Sequence, residues 1–158
     1  MPFALSSMQL TSPAFASGGN IPTKHTGEGE DVSPALRWTD LPEGTRSLAV
    51  VCHDPDAPLV AGGAYGFVHW VAYNIPTTAT GLDEGSTAFT SGGSGFGRPG
   101  YGGPMPPPGH GPHHYFFWLF ALSGEPDLPA GLSMTQLLER IEPQTLGMNR
   151  LVGVYERH

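Results

Sequence analysis

The amino-acid sequence predicts a mainly β fold. Only 13% of the residues are charged, while glycine (23) and proline (17) are abundant among 158 residues, which is typical of strands joined by many turns. Apolar and aromatic runs at 48–51, 67–73 and 113–122 are typical of buried strands. The length suits one compact core, so we expect residues 1–158 to form a single domain.

The N-terminal part of the chain predicts one strand followed by a long loop. Residues 3–10 alternate loosely between apolar and polar side chains, as a strand does. Segment 29–38 mixes carboxylates with a Ser-Pro turn and ends on Trp38, which indicates a loop entering a second strand. Acidic residues 28–31 lack the alternating ligands and terminal Glu of a calcium loop, so a calcium site is disfavoured.

A buried strand at 48–51 leads into the segment Asp54-Pro55-Asp56-Ala57-Pro58, where the prolines stop it. Asp54 and Asp56 are two residues apart, so in an extended backbone both carboxylates face one side and His53 faces the other. Such paired acids serve as general acid and base, as metal ligands or as groups that orient a histidine. The alternative is that both aspartates only cap a turn.

Residues 62–76 begin as a glycine-rich loop and become a core strand in which His69 stands between Val68 and Trp70. A histidine in such a strand is either a ligand-binding residue or a hydrogen-bonded core residue. Residues 77–100 are polar and rich in glycine, so we expect a long surface loop.

Residues 100–112 are too rich in glycine and proline for a helix or a regular strand, so they form a loop. Gly102 and Gly103 lack side chains that would obstruct their N–H groups. Free N–H groups beside a histidine are what a small anion needs. The alternative is a proline-stiffened connection with solvent-facing histidines.

Residues 113–122, HHYFFWLFAL, predict a strand buried on both faces. Because side chains alternate along a strand, His113 and Tyr115 point to one face, while His114 and Phe116 point to the other. One face therefore offers an imidazole and a phenol side by side.

The C-terminal part predicts a helix and a closing strand. Ser133 is a candidate N-cap, and Pro143 is expected to kink or split the helix. Residues 151–155 form the strand. The apolar positions at helical spacing are Met134, Leu137, Leu138 and Ile141.

Charge and cysteine content exclude several classes of protein. A formal net charge of −7 argues against a nucleic acid partner, which requires a basic surface. The single cysteine, Cys52, permits no intramolecular disulfide and no zinc-ligand spacing. The first ten residues lack the pattern of a signal peptide or a membrane span, so we expect a cytoplasmic protein.

Several segments, taken together, resemble one family. They are GEDVSPALRW (29–38), DPDAP (54–58), FVHWVAYNIP (67–76), GRPGYGGPMPPPGHGPHHYFFWLFAL (97–122) and LVGVY (151–155). The combination resembles the phosphatidylethanolamine-binding proteins, also called Raf kinase inhibitor proteins, and especially the bacterial Raf-kinase-inhibitor-like branch. The likeness extends from about Phe3 to Tyr155.

The resemblance implies a large antiparallel sheet packed with a smaller sheet, plus a C-terminal helix. It implies a surface pocket for phosphate-like anions and a cis peptide bond between Ala57 and Pro58. The pocket residues carried over to this sequence are Asp54, Asp56, Pro58, His69, Tyr101, Gly102, Gly103, Pro106, His113 and Tyr115.

The chain departs from the family pattern in two places. His114 stands where arginine is common, on the face of the strand away from the pocket. Gly62, Gly63 and Ala64 stand where bulkier or charged side chains are usual, which would leave the rim of the pocket more open.

The resemblance implies a phosphate or phospholipid-headgroup binding protein that regulates a partner protein, and homodimers are common in its bacterial branch. No serine or cysteine stands beside a base in the motifs, so we expect no enzyme activity and no cofactor. One alternative is inhibition of a kinase or serine protease through the pocket rim. Another is a metal-dependent hydrolase, whose candidate ligands are His53, His69, His110, His113, His114 and the two aspartates. Strand alternation disfavours it because it separates His53 and His114 from Asp54 and His113.

Overall fold

The computed structural model describes residues 5–58, 60–61 and 64–158. The expectations that rest on residues 3–4, Gly62 and Gly63 lie outside these residues. No helix in the described part of the chain has both the length and the apolar character needed to cross a membrane.

A five-stranded antiparallel sheet forms the centre of the fold, with the strand order β10-β9-β3-β6-β8. Strand β3 lies between β6 and β9 and is buried along nearly its whole length, because it combines β-branched and small apolar residues. The strands are β3 (Ser47–Asp54), β6 (Phe67–Pro76), β8 (Thr90–Ser91), β9 (His113–Leu122) and β10 (Thr145–Tyr155).

A smaller sheet, with the order β1-β2-β7, packs on one face of the central sheet. In β2, buried Leu36 and Trp38 alternate with exposed Arg37 and Thr39, so one side of the strand faces the core. Its strands are β1 (Gln9–Thr11), β2 (Leu36–Thr39) and β7 (Gly81–Leu82). A separate two-stranded sheet consists of β4 (Val60–Ala61) and β5 (Ala64–Tyr65).

Helix α1 (Met134–Ile141) packs on the opposite face of the central sheet. Its N-cap is Ser133, as predicted, and a complete capping box pairs Ser133 with Gln136. The helix covers only one half of this face. Residues 119–122 of β9 are therefore buried on both faces, while Phe116 and Trp118 stay partly exposed. The prediction of a strand buried on both faces is correct for this second half only.

Pro143 lies in a short 3-10 turn at Glu142–Gln144 and the helix ends before it, so, contrary to the expectation, it neither kinks nor splits the helix. The closing strand is longer than residues 151–155, since β10 begins at Thr145 and pairs with β9 along its length. The apolar spacing that predicted the helix stops at Ile141. Beyond it, hydrogen bonds to β9 decide the conformation, and these are not visible as a local pattern.

Candidate ligand-binding site

A cavity of about 610 Å³ opens where the ends of β3, β6 and β9 meet the loops that follow or precede them. Its walls are mostly apolar and aromatic, with one carboxylate and three imidazoles among them. The described residues that line it are Asp54, Ala57, Pro58, Phe67, His69, Gly95, Phe96, Met105, Pro106, Pro107, His110, His113 and Tyr115.

Asp54 and His113 form the polar centre of the cavity wall. Strands β3 and β9 are antiparallel and pair as far as His53 and Phe116, so the end of β3 lies close to the start of β9. The Nδ1 atom of His113 is 2.7 Å from Oδ2 of Asp54, and each residue is only 2% exposed. An ionised carboxylate can only accept, so Nδ1 carries a proton and donates it. The other oxygen of Asp54 accepts from the backbone N–H of Asp56 at 2.8 Å.

The second nitrogen of His113 is also in use. Its Nε2 lies 2.7 Å from Nδ1 of His110, so one of these two nitrogens donates and the other accepts. The two rings are tilted, with centroids 4.9 Å apart. Asp54, His113 and His110 therefore form a continuous hydrogen-bonded chain that leads from the buried carboxylate to an exposed loop.

His69, the third residue of β6, is buried and has no carboxylate partner among the described residues. Its Nδ1 donates to the backbone carbonyl of Gly102 at 2.7 Å, which leaves Nε2 as the acceptor nitrogen of the ring. Burial lowers the pKa of His69 from 6.5 to about 4, against smaller raising effects of the Gly102 carbonyl and the Asp54 charge. The ring is therefore neutral at physiological pH and accepts hydrogen bonds.

Aromatic rings form the wall around His69. Phe67 and Phe96 lie with their centroids 4.9 Å and 5.6 Å from that of His69, and Tyr115 meets it edge-on at 5.1 Å. Burial, together with the Asp54 charge, raises the pKa of the Tyr115 phenol, so this group stays protonated. The wall thus excludes water from one side of the polar centre.

The structure contradicts the expectation that the amides of Gly102 and Gly103 are free for an anion. The N–H of Gly102 donates to the backbone carbonyl of His69 at 2.9 Å, and that of Gly103 donates to Oδ1 of Asp31 at 2.7 Å. Both glycines are buried, and buried amides find protein partners. Neither position has room for a Cβ atom, which would meet the ring of Phe96 at Gly102 and the carbonyl of His25 at Gly103. These glycines therefore serve the packing of the wall.

Asp56 is not among the lining residues, and the expectation that it faces the same side as Asp54 is wrong. Its Oδ2 accepts from both the backbone N–H and the ring Nδ1 of His114 at 2.7 Å, on the outer side of β9. Strand β3 ends at Asp54 and a turn follows, so the two-residue alternation of a strand no longer applies.

Tyr101 supports the cavity wall from behind and is also absent from the lining. Its hydroxyl donates to the carbonyl of His25, and its ring meets that of Trp70 edge-on at 5.6 Å. The remaining predicted residues, Pro58, His69, Pro106, His113 and Tyr115, lie together on the cavity with Asp54.

The peptide bond between Ala57 and Pro58 is trans, against the expectation of a cis bond. The trans form of an X-Pro bond is favoured by about 0.5–1 kcal/mol unless the surroundings require the other isomer. Here the turn after β3 is already closed by the hydrogen bond from Asp56 to the Asp54 side chain.

His53 and His114 are directed away from the polar centre, as strand alternation predicts. The Nε2 of His53 bonds with the carbonyl of Tyr65, while His114 bonds with Asp56. Among the residues that the structure describes, no three His, Cys, Asp or Glu side chains are grouped as metal ligands.

A family model described as "Phosphatidylethanolamine-binding protein" matches residues 11–156. The chain belongs to the phosphatidylethanolamine-binding protein family. This confirms the resemblance drawn from the motifs, and the two packed antiparallel sheets with one C-terminal helix are the fold of that family.

Relatives from this family cover nearly the whole chain. A UPF0098 protein of Aquifex aeolicus is 40% identical over 95% of this chain and 89% of its own, and one of Methanothermobacter thermautotrophicus is 40% identical over 95% and 99%. The crystal structure of the PEBP homologue CT736 from Chlamydia trachomatis has a TM-score of 0.88 at 34% identity, covering 96% of this chain and 98% of its own. E. coli YBCL has a TM-score of 0.87 at 34% identity, with 97% and 100% covered.

Sequence reasoning missed several residues that line the cavity of this phosphatidylethanolamine-binding family member. Phe67 could have been found, because it lies two residues before His69 in the same strand and so shares its face. Phe96 and Met105 lie in irregular segments, where no periodicity assigns a direction to a side chain. His110 was considered only as a candidate metal ligand, because its glycine- and proline-rich loop gave no pattern that places it on the cavity.

Proposed function

We propose that this protein binds small phosphate-bearing molecules in the cavity, either inorganic phosphate or the phosphoryl headgroup of a lipid, and that it acts as a binding protein rather than an enzyme. The observation that carries the proposal is the buried Asp54–His113 pair in the cavity wall. The name of the matched family, which refers to a phosphorylated lipid, supports the same class of ligand.

The charges on the wall favour an anion that arrives with a proton. When His113 is protonated on both nitrogens, Asp54 stabilises its charge through Nδ1, and Nε2 becomes a donor. Neutral His69 offers an acceptor, which suits a phosphate P–OH group. No lysine or arginine is among the described lining residues, so the doubly protonated ring of His113 has to supply the cationic donor. The apolar walls strengthen these charge interactions by excluding water.

A binding role is supported by the composition of the site. Covalent catalysis requires a nucleophile within hydrogen-bonding distance of a base. The described lining residues include neither serine nor cysteine, and the hydroxyl of Tyr115 belongs to a phenol that stays protonated. The imidazoles and the carboxylate are instead committed to fixed hydrogen bonds that hold a donor and an acceptor in place.

Two neighbouring histidines allow a matched test. Phosphate, phosphoethanolamine and, as a control without phosphate, ethanolamine would be titrated into the wild type, His113→Gln and His114→Gln by calorimetry. A charge-assisted hydrogen bond contributes about 1.5–3 kcal/mol, so His113→Gln should weaken binding of both phosphates at least about tenfold. His114→Gln should bind like the wild type. Equal affinity in all three proteins, or equal binding of ethanolamine, would contradict the proposal.

A second candidate function is inhibition of a protein partner, a kinase or serine protease, through the cavity rim. Phe96 and Met105 line the cavity and are 39% and 46% exposed, which is unusual for large apolar side chains. A purified candidate enzyme would be assayed with the wild type and with Phe96→Ser, with and without phosphate. Inhibition that is insensitive to both the substitution and phosphate would exclude this use of the rim.

A further inference from the structure

Three of the groups predicted to meet an anion are already bonded within the folded chain. The amides of Gly102 and Gly103 are bonded to His69 and Asp31. Both ring nitrogens of His113 are also bonded, one to Asp54 and the other to His110. An anion that takes a hydrogen bond from any of these three groups therefore displaces an internal bond.

The three occupied groups differ in how readily they can be released from their internal partners. The amide bonds of Gly102 and Gly103 are made by buried backbone, and breaking them would separate the cavity wall from β6 and from the loop that carries Asp31. His113 is buried too, but the ring that covers its Nε2 belongs to His110, an exposed residue. Only this contact can be exchanged by the movement of one side chain at the surface.

The loop around His110 is bonded to Arg157, and there is open space at the two glycines that flank the histidine. The carbonyl of Arg157 accepts from Gly109 at 2.9 Å, and the Arg157 side chain donates to the carbonyl of Pro106 at 3.3 Å. Gly109 and Gly111 have φ angles of +74° and +85°, and a Cβ at either position would meet nothing within 4 Å. His110 thus lies between two glycines that have open space at their Cβ positions, while Arg157 holds Pro106 and Gly109 by hydrogen bonds.

We propose that His110 is a gate on the anion site, and this rests on the proposed function. Its ring occupies the place on Nε2 of His113 that an anion oxygen takes in the bound state. In the bound state His113 carries a proton on both nitrogens, the second taken up from the anion or from solvent. Its Nε2 then donates to an anion oxygen in place of the contact with Nδ1 of His110, while Nδ1 of His113 stays on Asp54. His110 then turns outward, towards solvent.

The opposite role for His110, a second ring that holds the anion, predicts an effect of opposite sign. A gate competes with the ligand, so its removal strengthens binding. A ligand-holding ring contributes a donor, so its removal weakens binding. The sign of the change in affinity of a His110→Ala variant therefore separates the two roles.

The experiment measures the affinity for inorganic phosphate of the wild type, His110→Ala and the control His114→Ala. The control removes an exposed imidazole only four residues away that bonds to Asp56 outside the cavity. One hydrogen bond no longer has to be broken in His110→Ala, so its affinity should be about tenfold higher, with faster association. His114→Ala should match the wild type. Unchanged or weaker binding by His110→Ala would overturn the gate.

A measurement without any ligand separates this inference from the proposed function. Nitrogen NMR of the histidine rings reports whether Nε2 of His113 is hydrogen-bonded, and relaxation dispersion reports exchange with an open state. The gate requires such exchange in the wild type and its loss in His110→Ala. If phosphate binds to neither the wild type nor His110→Ala, the proposed function fails. If the wild-type rings show no exchange, the gate fails whatever the phosphate result.

Discussion

Two Asp–His pairs lie side by side at the start of β9, with the same contact between ring and carboxylate in different surroundings. His113 bonds to Asp54 and His114 bonds to Asp56, and in both pairs Nδ1 lies 2.7 Å from Oδ2. In the first pair both side chains are 3% exposed, whereas in the second the histidine is 47% and the aspartate 40% exposed. Contact geometry alone therefore does not decide how much a charged pair contributes to stability.

Burial changes both the energy and the chemistry of the pair. Exposed ion pairs contribute about 0–1 kcal/mol, because water screens the charges and holding the side chains in place costs entropy. In a buried pair each group depends on the other, so losing one partner leaves an uncompensated polar group out of water. The inner pair can therefore position a ligand, while the outer pair fastens the turn after β3 to the start of β9.

The largest expected difference is in the free energy of unfolding. Asp54→Ala should lower it by about 3–5 kcal/mol, because His113 would lose the partner that balances its buried ring. Asp56→Ala should lower it by no more than about 1 kcal/mol. Urea denaturation of both variants measures the difference. Asp54→Asn, which keeps an acceptor, serves as the milder control, and equal losses for the Asp54 and Asp56 variants would refute the comparison.

His69 is buried like His113 but has no carboxylate partner among the described residues, so its effect on stability depends on pH in a different way. The pKa of folded His69 is about 4, below its ordinary value of 6.5, because burial disfavours the charged form. Between these values the unfolded chain binds the additional proton. The contribution of His69 to stability is therefore complete above pH 6.5 and falls as the pH drops towards 4, by roughly 3 kcal/mol in all.

Denaturation curves across this pH range would be measured for the wild type, His69→Gln and His114→Gln. The His69 variant should lose this part of the pH dependence because glutamine does not titrate. The His114 variant should keep it. A wild-type slope that survives in His69→Gln would show that another group is responsible.

The smallest expected effect is the change with pH and salt in the stability that the Asp56–His114 pair contributes. Burial alone would raise the pKa of Asp56, but the hydrogen bonds and charge of His114 outweigh it and lower the pKa overall. The stabilisation is therefore present above pH 3.8 and is lost as the pH falls below that value. Because the pair is exposed, the stability difference between the wild type and Asp56→Asn should be under about 1 kcal/mol and shrink further between low and high salt.

The corresponding difference for Asp54→Asn should hardly change with salt, since the inner pair is shielded from ions. Denaturation at about 0.02 M and about 0.5 M salt compares the two. A salt effect of equal size for both pairs would mean that the inner pair is as accessible to ions as the outer one.

Local sequence was a sound guide wherever a residue lies in a regular strand or helix. Strand alternation correctly predicted that His113 and Tyr115 face the cavity and that His114 faces outward. The sequence also correctly identified Ser133 as the helix N-cap. Alternation failed at Asp56, one residue beyond the turn-forming Pro55, because the chain direction there follows the Asp54 hydrogen bond.

Motifs and the two-residue period of strands were enough to predict the family, the mainly β fold and the face on which His69, His113 and Tyr115 meet. The bonded amides of Gly102 and Gly103 and the contact of His110 with His113 became visible only in the folded chain. The physical reason is that buried polar groups take whichever partner the folded chain brings near, and loops from distant positions supply that partner.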